Sequence, residues 1–188
     1  MAAAKYRRGF KTEAEGIALA TRQELGLTPI HRLDCLVLAD HLGITVLSLT
    51  DMLAGGARPK SVACLQEPEA RFSAVTVCAG TSRIIVYNPA HSLGRQANSL
   101  AHELSHTILE HPAGPAIGAG GCREWDESCE AEADWLAGVL LVPREGALLF
   151  WRGNPSIENG AAHFGVSDAL FRQRINQTGI VRQLAARR

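Results

Sequence analysis

Two histidines and a glutamate in the stretch LAHELSHTILEH, residues 100–111, have the types and spacing of a catalytic metal site. On a helix, residues four positions apart share a face, so His102 and His106 can present two imidazole nitrogens to one tetrahedral ion. Glu103 is offset from His102 by about 100° around the helix axis, so it can reach a water molecule beside the metal. This pattern is typical of zinc peptidases with a glutamate general base, although an amphipathic helix with unrelated polar residues would also produce it.

A catalytic zinc needs a third protein ligand and an open fourth position. The downstream stretch ESCEAEADWLAG, residues 127–138, is acidic and helical in pattern. Glu130 and Asp134 share a face, so one can bind the metal while the other orients a ligand histidine. We expect Glu132 to point to solvent. The alternative is a solvated helix start, where negative charge suits the helix dipole.

Local signals predict the elements that must position these residues. Thr12 and Glu15 suggest a capping box on a first helix ending at Gly26, and Asp34 suggests the cap of a second helix that stops at Gly43. The remaining predictions are a strand in ITVLSL, a hairpin of FSAVTVCAG and RIIVYN, helices over about 92–110 and 126–141, a further helix start at Pro143, and two short helices around Gly165 and Val166.

Composition limits the possible classes of protein. The 188 residues are 46% hydrophobic, and 19 Lys and Arg balance 19 Asp and Glu, so no overall field attracts nucleic acid or anionic lipid. Five scattered cysteines without a CxxC pair favour reduced thiols over disulfides or a thiolate zinc site. No run approaches the roughly 18 apolar residues of a membrane span. We therefore expect a cytoplasmic protein.

Several separated motifs together resemble the ImmA/IrrE family of zinc metallo-endopeptidases. They are HELSH, EAEADWLAGVLLVP, RGFKTEAEGIALATRQELGL, LADHLGITV and RIIVYNPAHSLGRQANSLAHE, and the resemblance spans roughly residues 8 to 180. It implies the zinc ligands His102, His106 and Glu130, with Glu103 as general base. It also implies that Asp134 contacts and orients a ligand histidine. It also implies site-specific cleavage of a helix-turn-helix transcriptional repressor. Manganese or iron in place of zinc remains open.

The expected fold class is α+β. We predict a small, mostly antiparallel sheet backed by the N-terminal helices, a two-helix, zincin-like metal site and a short helical tail that resembles a helix-turn-helix. The expected domains are a peptidase domain over residues 8–152 and an extension over residues 153–188 packed on it. The oligomeric state is not predicted.

The strand RIIVYN leads into the metal helix and is predicted to lie at a sheet edge. An extended peptide could then pair with Ile84, Ile85, Val86 and Tyr87, and proline substitutions there would abolish cleavage without removing zinc. His111 is expected at the helix end, turned away from the ligand face. Candidates for a second oxyanion donor, which the sequence does not rank, are Tyr87, His91, Arg95 and His163.

The tail AAHFGVSDALFRQRI leaves two other functions open. Its Gly turn suits a helix-turn-helix that binds DNA, but Asp168 at the start of the second helix makes packing or substrate docking the favoured role. A non-catalytic zinc-fold or antitoxin-like module is the other alternative, against which the presence of Glu103 argues. Local positive charge in the tail is assigned to Arg172, Arg174, Arg182, Arg187 and Arg188.

Overall fold

Helices surround a small mixed sheet in the computed structural model, which describes residues 6–66, 72–79, 82–112 and 127–185. The α+β class is confirmed. The first half of the chain contains α1 Phe10–Glu24, α2 Cys35–His41, β1 Thr45–Ser48, α3 Leu49–Ala54, α4 Pro59–Gln66, β2 Ala74–Ala79 and β3 Ser82–Tyr87. The second half contains α5 Leu93–Ile108, α6 Glu127–Leu141, α7 Arg144–Gly153, α8 Ile157–Phe164, α9 Asp168–Thr178 and α10 Ile180–Ala185.

The three strands of the described sheet have the order β1-β3-β2. β2 and β3 form the expected antiparallel hairpin, but β1 runs parallel to β3, so the expectation of a mostly antiparallel sheet holds for one of the two strand pairs. Between β1 and β3 the chain passes through α3, α4 and β2, and a long connection of this kind allows parallel pairing. β3 is therefore the central strand, and its prediction as an edge is wrong.

The sheet is covered on both faces. One face joins the main core through Ile85, and the other packs Val86 against Leu49 and Val62 of α3 and α4. α2 contacts β1 and α5 contacts β2 and β3, whereas α1 packs on α6. The N-terminal helices thus back the sheet only in part, because the apolar face of α1 is used to hold one of the two motif helices.

Two of the predicted helix signals are confirmed and one is wrong. The Asp34 side chain accepts a hydrogen bond from Leu36 N at 2.8 Å, and Gly43 follows the end of α2 with a φ of 68°. α1 instead begins after Gly9 without a side-chain cap. Glu15, expected in the capping box, accepts hydrogen bonds from Arg174 Nη2 at 2.6 Å and Arg144 N at 2.8 Å. The capping box fails because α1 begins two residues before Thr12, whose N–H already donates to Gly9 O at 3.0 Å.

The C-terminal helices pack into the main core. α8 and α9 are joined at Gly165, as predicted, and Phe164, Phe171 and Ile175 belong to the same buried cluster as the motif helices. A Cβ on Gly94, in the first turn of α5, would lie 2.9 Å from Ser167 N. The turn between α8 and α9 therefore lies directly against the start of the helix that carries His102 and His106. The boundary at residue 153 stays a prediction.

Two buried arginines stabilise the C-terminal end of α6. The guanidinium of Arg22, 1% exposed, donates to the carbonyls of Leu140 and Leu141 at 2.8 and 3.2 Å. Arg174 Nε donates to Val142 O at 3.0 Å. Positive groups at this end satisfy carbonyls that have no partner within the helix and complement its dipole. Burial lowers the pKa of Arg22 to about 10, which still leaves it charged at neutral pH.

We expect Arg22→Met to destabilise the protein strongly. The guanidinium also donates to His31 O at 2.9 Å, so the substitution leaves carbonyls of α6 and of the loop before α2 without their donor. Because a hydrogen bond from a charged group contributes about 1.5–3 kcal/mol, we expect the free energy of unfolding to fall by at least about 3 kcal/mol in urea titrations. Arg152→Met, at an exposed position of α7, should change it by less than about 0.5 kcal/mol. Equal effects of the two variants would contradict this role of Arg22.

Cys35 is a buried free thiol, and burial raises its pKa to about 12, which leaves the thiol unreactive. Cys64, Cys78 and Cys122 lie outside the described side chains. Over residues 6–66, 72–79, 82–112 and 127–185, no helix has the length and apolarity needed to cross a bilayer.

Candidate metal centre

The candidate ligand atoms that the sequence singled out meet where α5 packs on α6. His102 Nε2 lies 3.1 Å from His106 Nε2 across one turn of α5. Glu130, in the first turn of α6, places Oε2 3.3 Å from His102 Nε2 and Oε1 3.5 Å from His106 Nε2. Residues 102, 106 and 130 each offer a ligand atom within 4.8 Å of the others. The structure thus brings together two nitrogens and a carboxylate from opposite sides of a helix pair.

This donor set fits a divalent cation. Metal–ligand distances of about 2.0–2.1 Å in a tetrahedral zinc site separate neighbouring ligand atoms by roughly 3.3–3.4 Å, close to the spacing of the three groups. Each imidazole has a partner at Nδ1, and a proton on Nδ1 of both rings would leave both Nε2 lone pairs facing one another and the carboxylate. Converging lone pairs repel unless a cation lies between them. The chemistry of the donors therefore supports a metal at this position.

The ring of His102 is oriented by the next turn of α6. Its Nδ1 lies 2.9 Å from Asp134 Oδ1, as expected for a carboxylate that fixes the tautomer of a ligand histidine. Burial of the ring disfavours its charged form, but the hydrogen bond and negative charge of Asp134, with the charges of Glu103 and Glu130, raise the pKa of His102 above its ordinary value. A proton and a metal ion therefore compete for Nε2 of this residue.

His111 and Glu132 lie behind His106, contrary to expectation. His111 was predicted to turn away from the ligand face, but its Nδ1 is 3.0 Å from His106 Nδ1. Glu132 was predicted to face solvent, but it is 9% exposed and lies 3.6 Å from His111 Nε2 through Oε2. Helical periodicity failed for His111 because α5 ends at Ile108 and the chain then turns back. It failed for Glu132 because α1 and the preceding segment cover that face of α6.

Glu103 is held by a residue that the sequence analysis did not identify. Thr76 Oγ1, on β2, donates a hydrogen bond of 2.6 Å to Glu103 Oε2, and the glutamate is 5% exposed. Glu103 is not part of the cluster formed by His102, His106 and Glu130. No local signal distinguishes Thr76 from other threonines in strands, because its role depends on β2 lying along α5.

The remaining predicted positions are distributed around the fold. Ile84, Ile85, Val86 and Tyr87 lie on the central strand, and their register with both neighbours leaves no edge there for a peptide. A proline in β3 would disrupt the sheet itself and would not test substrate binding.

Two of the candidate oxyanion donors have partners elsewhere in the fold. Arg95 Nη2 donates to Ser73 Oγ at 2.9 Å, and His163 Nε2 lies 2.8 Å from Ile30 O. Burial and the nearby Arg95 lower the pKa of His91.

If Glu103 acts as a general base, we expect Thr76→Val to slow catalysis without loss of metal. The substitution removes the donor to a buried carboxylate oxygen, and a hydrogen bond to a charged group contributes about 1.5–3 kcal/mol. If that energy positions Glu103 in the transition state, the cleavage rate falls by roughly 10- to 100-fold. Thr76→Ser, which keeps the hydroxyl, should retain most of the rate. Rates and zinc content measured on the same preparations check this, and a full rate for Thr76→Val would contradict it.

Comparison with known proteins agrees with this site. The family model of the IrrE N-terminal-like domain, Peptidase_M78, matches residues 39–176, which is more than half of the chain and includes all of the site residues on α5 and α6. The chain belongs to this metallopeptidase family, as the motifs predicted. No curated protein matches it significantly.

A solved structure shares the fold. A transcriptional regulator from Mycobacterium tuberculosis aligns with a TM-score of 0.50 at 16% sequence identity, over 90% of this chain and 47% of that chain. The present chain therefore spans less than half of the length of that regulator. At this level of identity the likeness concerns the fold alone.

Proposed function

We propose that the protein is a zinc-dependent endopeptidase that makes site-specific cuts in a protein substrate, a helix-turn-helix transcriptional repressor. The observation that carries this proposal is the convergence of His102 Nε2, His106 Nε2 and the Glu130 carboxylate. Glu103 is outside this cluster, but its charge is close enough to His102 to help raise the pKa of that imidazole. Two histidines and one carboxylate are the ligand set of several zinc peptidases. Cleavage of a repressor would place the reaction in the cytoplasm.

The chain's own residues supply proton transfer and orientation. When bound, zinc acts as a Lewis acid that activates water and polarises the peptide carbonyl. Glu103 takes the proton from the attacking water and passes it to the leaving amine. Thr76 holds Oε2 of that glutamate at 2.6 Å, which leaves Oε1 for the proton. Asp134 holds His102 through Nδ1, so that the Nε2 lone pair points to the site.

β2 is the strand beside Glu103 that can receive an extended substrate. It pairs with β3 on one side, and no other described strand pairs with its second side. Asn88 N donates to Ser73 O at 2.9 Å, so residues 73 and 88 form a hydrogen-bonded pair. Hydrogen-bonded and non-hydrogen-bonded pairs then alternate along β2 and β3. With that alternation, the main-chain N–H and C=O groups of Thr76 point to the open edge. A peptide paired there by β-augmentation would lie alongside the general base.

The DNA-binding alternative has less support than the sequence suggested. Arg174, counted there as surface charge, is 1% exposed and bound to Glu15 and Val142 O. α8 and α9 also contribute apolar side chains to the main core. Arg187 and Arg188 lie outside the described residues. We therefore favour the peptidase over a DNA-binding regulator, and over a non-catalytic zinc-fold module because Glu103 is present and oriented.

The test is cleavage of a purified helix-turn-helix repressor, taken from any such gene found to adjoin the gene for this chain. Purified protein is incubated with it after zinc loading or chelator treatment, and the products are identified by intact-mass spectrometry. We expect a small number of discrete fragments with zinc and none with chelator. Intact repressor in the presence of fully zinc-loaded protein would contradict the proposal. Salt-dependent DNA binding that survives Glu103→Gln would favour the regulator instead.

A further inference from the structure

A row of buried polar side chains extends from His106 away from the metal site. His106 Nδ1 lies 3.0 Å from His111 Nδ1, and His111 Nε2 lies 3.6 Å from Glu132 Oε2. Glu132 Oε1 in turn lies 3.3 Å from Arg7 Nε. His106, His111 and Glu132 are each less than a tenth exposed. Buried polar groups need partners, so each member of this row depends on the next.

The backbone after α5 is shaped to bring His111 to this place. His111 N donates to His106 O at 3.0 Å and Glu110 N donates to Thr107 O at 3.1 Å, which together form a Schellman turn. Glu110 occupies the left-handed region with a φ of 53°, as no other described residue except glycine does. That conformation costs roughly 1 kcal/mol for a residue with a Cβ. The turn folds His111 back over the ring of His106, with the ring centroids 5.1 Å apart.

The direction of the hydrogen bond follows from the chemistry of His106. A histidine that binds a metal through Nε2 keeps its proton on Nδ1, so His106 donates and His111 Nδ1 accepts. His111 then carries its own proton on Nε2, which faces the Glu132 carboxylate. The 3.6 Å separation of these two atoms is an electrostatic contact that is longer than a hydrogen bond. Arg7 Nε, 3.3 Å from Glu132 Oε1, helps to hold the carboxylate in place.

We propose that His111 is a positioning residue that fixes the tautomer and ring orientation of His106, with Glu132 stabilising the tautomer of His111. This inference rests on the proposed metal site. The two ligand histidines are then held differently: Asp134 contacts His102 directly, whereas a second imidazole stands between His106 and Glu132. Partners of this kind raise the basicity of a ligand histidine, and their removal weakens metal binding by about 10- to 100-fold.

The experiment measures zinc affinity by chelator competition on the full chain. His111→Phe fills the space without an acceptor, so we expect zinc affinity to fall by about 10- to 100-fold. His111→Asn places Oδ1 near the position of Nδ1 and should recover part of the loss. His41→Phe, a substitution of an exposed histidine that pairs with Glu24, is the matched control and should leave zinc affinity unchanged.

A measurement on the wild-type protein keeps the inference testable if His111→Phe does not fold. Two-bond proton–nitrogen correlation spectra of the zinc-loaded protein report histidine tautomers, and we expect the proton of neutral His111 on Nε2. Its presence on Nδ1, or unchanged zinc affinity in a folded His111→Phe variant, would overturn the role of His111 alone. A wild-type protein that does not bind zinc would overturn the metal site and this inference together.

Discussion

The Glu103→Gln variant is expected to cleave the repressor about 10²- to 10⁴-fold more slowly than the wild-type protein while binding zinc equally well. Glutamine has nearly the same shape, and its carbonyl oxygen can still accept the hydrogen bond from Thr76 Oγ1. It cannot take a proton from water at neutral pH, so the loss falls on the chemical step. Initial rates from quantitative mass spectrometry, with zinc content measured on the same samples, separate the two effects.

Glu145→Gln is the matched control for Glu103→Gln. Glu145 is exposed in the first turn of α7, so the same change of charge there should leave the rate within about twofold, the scale of a surface substitution. A Glu103→Gln variant with its full zinc content and an undiminished rate would show that another group acts as the base. The assignment of Glu103 would then be wrong even though the metal site remained.

The Glu130→Gln variant is expected to lose zinc affinity by more than about 100-fold. Removing a residue that only hydrogen-bonds to a ligand already weakens metal binding by about 10- to 100-fold, and loss of a ligand carboxylate should cost more. Glutamine removes the negative charge that offsets the two imidazoles and leaves a weaker oxygen donor. His106→Ala should have an effect of similar size. Chelator competition measures both losses, and cleavage should fall in proportion to the zinc-loaded fraction.

Glu127→Gln controls for the loss of negative charge in the first turn of α6. Glu127 lies three residues before Glu130 but is exposed and is not part of the ligand cluster. We therefore expect its zinc affinity to match that of the wild-type protein. Equal losses in the two variants would mean that zinc responds to the general charge of the helix start, and the ligand assignment of Glu130 would fail.

Local spacing within helices was enough to predict much of the site. The four-residue interval places His102 and His106 on one face of α5, and the same interval places Glu130 and Asp134 on one face of α6. The structure brings three of these residues into one cluster and places Asp134 behind His102. The family was predicted from the same motifs and is confirmed.

Side-chain spacing within helices and strands does not predict contacts between distant parts of the chain. Strand order is one case, since the hydrophobic pattern of RIIVYN is the same for a central strand and an edge strand. Glu15 is another, because it suits a capping box locally but is bound by Arg174, which is remote in sequence. Thr76 likewise gains its role only where β2 lies along the metal helix.

The amino-acid sequence by itself determined which residues are candidates for metal chemistry, because a helix fixes the relative directions of side chains three or four positions apart. The tertiary structure alone decided what holds those residues in place: β2 beside Glu103, His111 folded back on His106, and Glu132 buried behind it. These contacts depend on how helices and strands pack and on where the chain turns. Packing joins residues whose separation along the chain gives no information about their distance in space.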